Sequence, residues 1–130
     1  MTLRDTILNT DDQVDETIDV PEWGVKVGMK GLTLAEQQAF LKKVQRKTGG
    51  GRFEIDRDKF AVQLVIATAV DPDSGERLFD PADAQTLSQK SAAAMFRLVQ
   101  TGTRLSGLGG DEQVEEAIAD LKETASDDTS

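Results

Sequence analysis

The chain has 130 residues, enough for one domain, with 38% hydrophobic and 30% charged residues, a net charge of −9 and a pI near 4.4. Cys, His and Tyr are absent, which excludes a disulfide frame, thiolate metal sites and the commonest general base and metal ligand. No apolar run reaches the ~18–20 residues of a membrane span, and the acidic balance repels nucleic acid on average.

Charge is uneven along the chain. Residues 1–25 carry one base against seven acids, and residues 101–130 carry two against eight. Between them, residues 26–59 hold nine bases against four acids. Acidic ends therefore flank a basic middle. Either the ends lie near that middle or are simply solvated, or the middle is a charged docking face. The N-terminus lacks the basic-then-apolar order of a secretory signal, so the expected location is the cytoplasm of the cell that makes the protein.

Residues 2–9 read as a short helix with Leu3, Ile7 and Leu8 on one side. Two turns alone are marginal in water, so this helix needs a partner surface or frays. A polar link follows, and residues 1–16 are assigned to this helix and linker. Ile18 and Val20, then Val25, Val27 and Met29, alternate with polar or small neighbours on either side of Pro21-Glu22-Trp23-Gly24. That period predicts a two-stranded β-hairpin over residues 17–30, its apolar face resting on helices. Trp23, the single Trp, sits at the turn. It is either a lid over the core or an anchor for a partner.

Thr33-Leu34-Ala35-Glu36 is a capping box opening a helix to about Arg46, with Leu34, Phe40, Leu41 and Val44 as its apolar side. Lys42, Lys43, Arg46 and Lys47 crowd its end, where the macrodipole favours cations. Thr48-Gly49-Gly50-Gly51 is read as its terminator and a flexible joint. Phe53 and Ile55 are ambiguous.

The densest apolar content lies in residues 65–98. A third helix starts near Asp56, with Phe60, Leu64 and Ala67 on one side and Val62, Ile66 and Val70 on others. A helix apolar nearly all round is central, although its β-branched content also admits a strand over residues 62–70. Asp71-Pro72-Asp73-Ser74-Gly75 is a tight turn, after which Leu78 and Phe79 anchor the return. Asp80-Pro81-Ala82-Asp83 opens the next helix, with a break near Leu87-Ser88. It resumes through Ser91-Ala92-Ala93-Ala94 and carries Met95, Phe96, Leu98 and Val99. Gly107 caps it, with Leu108 folding back. Val114, Ala117, Ile118 and Leu121 line a final short amphipathic helix, and residues 124–130 are expected to be disordered.

The expected fold is mainly α (α+β): a small helical core domain over residues 17–108, with its N-terminal hairpin. Residues 109–130 form a linker, the amphipathic helix and an acidic tail.

Chemistry finds little foothold. Asp71, Asp73, Gly75 and Asp83 suggest a calcium loop, but Gly falls one position early and Ala82 stands where the bidentate Glu belongs. The triglycine lacks the Lys-Ser/Thr of a phosphate loop. No catalytic residue, cofactor or metal is expected. The remaining reading is a protein-binding module, with Trp23, the Ala-rich helix and the C-terminal helix, including Ile118 and Leu121, as its surfaces.

Asp19-Val20-Pro21-Glu22-Trp23-Gly24, Asp71-Pro72-Asp73-Ser74-Gly75-Glu76-Arg77-Leu78-Phe79 and Lys90-Ser91-Ala92-Ala93-Ala94 leading to Leu105-Ser106-Gly107-Leu108 together give the chain a family resemblance. In their order and spacing they resemble the tail assembly chaperones of long-tailed bacteriophages, over roughly residues 3–108. The resemblance implies a non-catalytic protein that binds the tape measure protein, a very long helical chain, and helps tail tube subunits assemble around it. It implies action in the host bacterial cytoplasm and absence from the finished virion. Related genes often make a longer product by ribosomal frameshifting. The contact positions it suggests are Trp23, Leu78, Phe79 and Phe96. No nucleic-acid or membrane partner is expected, and homo-oligomerisation is left open. The alternatives are a tail-completion or head–tail connector protein kept in the particle, and a small regulatory nucleic-acid binder.

Overall fold

The computed structural model describes residues 1–128, with side chains through Ala125. Its elements, in chain order, are α1 (Leu3–Asn9), β1 (Asp15–Val20), β2 (Val25–Lys30), α2 (Leu34–Val44), β3 (Gln45–Lys47), β4 (Phe53–Ile55), α3 (Arg57–Thr68), β5 (Ala69–Val70), α4 (Ala84–Ser88), α5 (Ala92–Leu105) and α6 (Glu112–Asp128). The mainly α class and the N-terminal hairpin are both present.

α3 is the axis. Phe60, Leu64, Val65, Ile66 and Thr68 are all buried, and they point to different sides of the helix. A helix with no polar face has to be surrounded, and α3 packs on α2, α4, α5 and α6. Phe40 of α2 meets Phe60 edge-on, with ring centroids 5.7 Å apart, the arrangement ring quadrupoles prefer. The two readings of residues 62–70 divide at Thr68. Its hydroxyl donates to the Leu64 carbonyl at 2.7 Å, and the next two residues leave the helix as β5.

The predicted hairpin is in register from Asp15 opposite Lys30 to Val20 opposite Val25. It is not alone. β5 pairs antiparallel with β2, Gly28 opposite Val70, giving the order β1-β2-β5. Gly28 permits this approach, because a Cβ there would lie 2.9 Å from both the Val70 carbonyl oxygen and its Cγ2.

The triglycine stretch differs from the expectation of a helix stop and loose joint. α2 ends at Val44, two residues early, and Arg46 and Lys47 belong to β3. β3 and β4 form a second antiparallel ribbon, Gln45 opposite Ile55 and Lys47 opposite Phe53, with the glycines as its tip. Gly50 and Gly51 have φ of 85° and 76°, values that cost other residues energy but not glycine. Three glycines thus make a turn, and the ambiguous Phe53 and Ile55 are strand.

The Asp71 turn is as read: its carboxylate accepts from the backbone N–H groups of Asp73 (2.8 Å) and Ser74 (3.2 Å). The break also falls where expected, with α4 ending at Ser88 and α5 starting at Ala92. Gly107, at φ 69°, closes α5: its N–H reaches the Arg104 carbonyl at 3.3 Å and that of Leu108 the Thr103 carbonyl at 3.1 Å. This is a Schellman cap, with buried Leu108 as its hydrophobic clasp. α6 is longer than a short terminal helix. Thr124 and Ala125, expected in a disordered stretch, continue it, and Ala125 is buried; the last residues of that stretch, 129–130, lie outside those described.

Candidate partner-binding surface

α1 is a capped helix without a buried side. Thr2 Oγ1 accepts from the Asp5 N–H at 3.1 Å, and the Asp5 carboxylate accepts from the Thr2 N–H at 3.3 Å. This reciprocal pair satisfies two orphan donors and starts the helix. Yet none of its residues is buried. Leu3, Ile7 and Leu8 keep 76%, 62% and 64% of their surface in solvent. A two-turn helix earns its stability from a buried face, and here that face is vacant.

The arm joins the body at Val14, whose carbonyl accepts from the Gly31 N–H at 2.8 Å. Val14 and Leu34 are also exposed there, beside a shallow groove of about 330 Å³ that Leu32 and Leu105 help line. Leu34 was read as part of the apolar side of α2. As the first residue of that helix it points past the end of the core instead.

The six sequence-derived positions separate. Leu78 is exposed, its N–H bonded to the Ala69 carbonyl at 3.2 Å where the chain bridges back to Val70. Phe79, Trp23, Ile118 and Leu121 are half-buried and packed against the core. Phe96 is half-buried on α5. Ile118 and Leu121 pack against the core with buried Val114 and Ala117 along α6.

Trp23 is held from two sides. Its N–H donates to the Val20 carbonyl at 3.0 Å, and Gly24 follows at φ 66°. Next to it, both Glu22 carboxylate oxygens accept from Arg97 Nε on α5 at 3.0 Å. A hydrogen bond from its own backbone N–H, with Arg97 adding to it, holds the Glu22 carboxyl below its usual range. The hairpin tip is thereby pinned to α5, and the indole lies as a lid on the core.

The β3–β4 ribbon is the second exposed feature. Apart from half-buried Thr48, every residue from Gln45 to Glu54 is exposed, Phe53 at 57%. Arg46 has Glu54 at 3.6 Å across the ribbon. Lys42, Lys43, Lys47 and Arg52 have no ion pair among the described residues. The ribbon's root is fixed by α6: Gln113 Oε1 accepts from the Ile55 N–H at 2.7 Å, and Arg57 pairs with Glu116 at 2.8 Å and with Asp120.

The sequence flagged the α1 face without naming it a site, and it set Phe53 in the basic segment from Lys42 to Lys59 without an assigned element. No cluster of His, Cys, Asp and Glu fit to hold a metal occurs among the described residues, and no helix is long and apolar enough to cross a membrane. Comparison of the chain with family models, curated proteins and solved structures finds no match.

Proposed function

We propose that the protein is a non-catalytic chaperone that binds an apolar helical client, and that the client is a phage tape measure protein. The observation that carries this reading is α1, a capped helix presenting Leu3, Ile7 and Leu8 to solvent. Exposed apolar side chains on a helix are the usual means of gripping another helix. Leu78 adds an apolar position on the body. The net charge of −9 keeps such a complex dissolved while apolar surface is covered. The identity of the client comes from the motif resemblance, as does a second partner, the tail tube subunit. On this reading the chaperone works in the host bacterial cytoplasm and leaves before the particle is complete.

The test is co-expression with the product of a neighbouring long helical open frame, followed by pull-down. Capture is expected with the parent chain and lost when Leu3, Ile7 and Leu8 are all replaced by Ser. Undiminished capture by that triple variant removes α1 from the reading. Mass spectrometry of purified virions is expected to lack the chain; a stoichiometric amount would instead make it a structural tail-completion or connector protein.

A further inference from the structure

We propose that β1 is a docking edge for an extended, basic segment of another protein, which adds to the sheet as a further strand. β1 ends the order β1-β2-β5, and no strand or bridge lies on its outer side among the described residues. One bond fixes which groups it leaves open. The Gly31 N–H donates to the Val14 carbonyl at 2.8 Å, so that pair is hydrogen-bonded across the ladder, and alternation makes Glu16, Ile18 and Val20 the residues bonded to β2. The N–H and C=O groups of Asp15, Thr17 and Asp19 therefore point away from the sheet. None of these groups has a hydrogen bond among the described residues, and all three residues are exposed. The strand that carries them is held in place. Val20 is fully buried, Glu16 pairs with Arg104 of α5, and Glu22, just past the strand, pairs with Arg97 of the same helix at 3.0 Å. An edge fixed in extended form is a ready template for another chain.

Charge selects the occupant. Residues 10–20 hold five acids and no base. Glu16 is answered by Arg104 and Asp19 by Lys26 at 3.6 Å, while Lys30, opposite Asp15, pairs with Glu36 at 3.4 Å. Asp11, Asp12 and Asp15 keep no ion pair among the described residues. A second copy of β1 would bring two such acid-rich segments side by side, a repulsive pairing. A segment that alternates, with Lys or Arg opposite Asp15 and Asp19 and a β-branched residue opposite Thr17, sets its bases beside those acids on the solvent face. Backbone groups of β1 make this contact, not the side chains of Leu3, Ile7 and Leu8, so it stands or falls apart from the client reading.

The probe is a capped peptide, Val-Lys-Val-Thr-Val-Lys-Val, titrated into the full chain and followed by NMR shifts and amide hydrogen exchange. Exchange at Asp15, Thr17 and Asp19 is expected to be fast in the free protein and to slow as peptide is added, with Glu16 and Ile18 slow throughout. A peptide with Glu for both Lys should bind about ten-fold more weakly, and N-methylation of the peptide's Thr should remove the protection. Thr17→Pro deletes an N–H that the ladder with β2 does not use, a change an edge strand tolerates, so peptide binding should be lost at unchanged Tm. Should that variant melt early, Asp15→Lys with Asp19→Lys, both at exposed positions, makes the same test by turning the preference toward the Glu peptide. Shifts spread over the acidic surface without protection of the three amides overturn the proposal. So does equal binding of the two peptides, protection of the same amides in a β1–β1 dimer of the free chain, or loss of peptide binding when Leu3, Ile7 and Leu8 are replaced by Ser.

Discussion

Alanine in place of Gly31 is a sharp test of how the arm root, the sheet and α5 meet. A Cβ on Gly31 would sit 2.5 Å from the Leu105 carbonyl oxygen and 3.2 Å from its carbon. Both atoms are backbone at the end of α5, where no side chain can swing aside. Overpacking of this kind costs about 1–3 kcal/mol, and a backbone obstacle places it at the upper end. The stiffer unfolded chain returns about 0.4–1 kcal/mol, leaving a net loss of about 2 kcal/mol. At roughly 4 °C per kcal/mol for a domain of this size, Tm should fall by about 8 °C. Gly49→Ala is the control. No atom lies within 4 Å of its added Cβ, and its φ is not in the left-handed range, so only the unfolded-state gain applies and Tm should rise by about 2–4 °C. Circular dichroism and calorimetry on both variants give the comparison. Hydrogen exchange should also rise at Leu32, whose N–H donates to Ser106 Oγ at 3.2 Å. Equal melting of the two variants would refute the close approach of Gly31 to α5.

Trp23→Ala should destabilise the fold by about 2 kcal/mol, since a half-buried indole loses part of the cost of a fully buried one. Client capture measured in the cold should survive that change; its loss in a Trp23→Phe variant of normal Tm would make Trp23 a contact. Ile118→Ser with Leu121→Ser should likewise lower Tm and spare cold capture, because both side chains pack inward; the reverse pattern would place a client on α6. Glu36 gives a pH signature. The Thr33 backbone N–H, and then Lys30 at 3.4 Å, hold its carboxyl below the ordinary 4.5. A depressed folded pKa contributes stability above the unfolded value and loses it as pH falls through the folded one. Acid titration below about 4.5 should therefore cost the parent chain more stability than Glu36→Gln, read from Tm against pH; parallel curves would remove this capping box from the acid response.

Much of this fold was legible because local chemistry and tertiary packing agree. Thr33 and Glu36 form their box as written: Thr33 Oγ1 accepts from Glu36 N–H at 3.1 Å, and Glu36 accepts in return at 3.0 Å. The Asp71 turn, the break at Ser88 and the cap at Gly107 are likewise set by residues within a few positions of one another. What was illegible depends on distant partners. β5 is a strand only because Gly28, far away in sequence, offers it a ledge. The triglycine reads locally as a stop, and its ribbon needs α6 to hold it. The surface divided the same way. An aromatic or leucine in sequence carries no mark of which side it faces, so Trp23 and Leu121 were grouped with Leu78, although the first two pack on the core and the third does not.

Gln113 has a role beyond fastening α6. Its amide accepts from Ile55 N–H at 2.7 Å and donates to the Phe53 carbonyl at 3.4 Å, two of the outward groups that a further strand alongside β4 would claim. One side chain thus stands in for a rung of a ladder, and the ribbon is closed to zipping along that margin. A strand that extends this ribbon meets that side chain on the β4 side and has to pair along β3 instead.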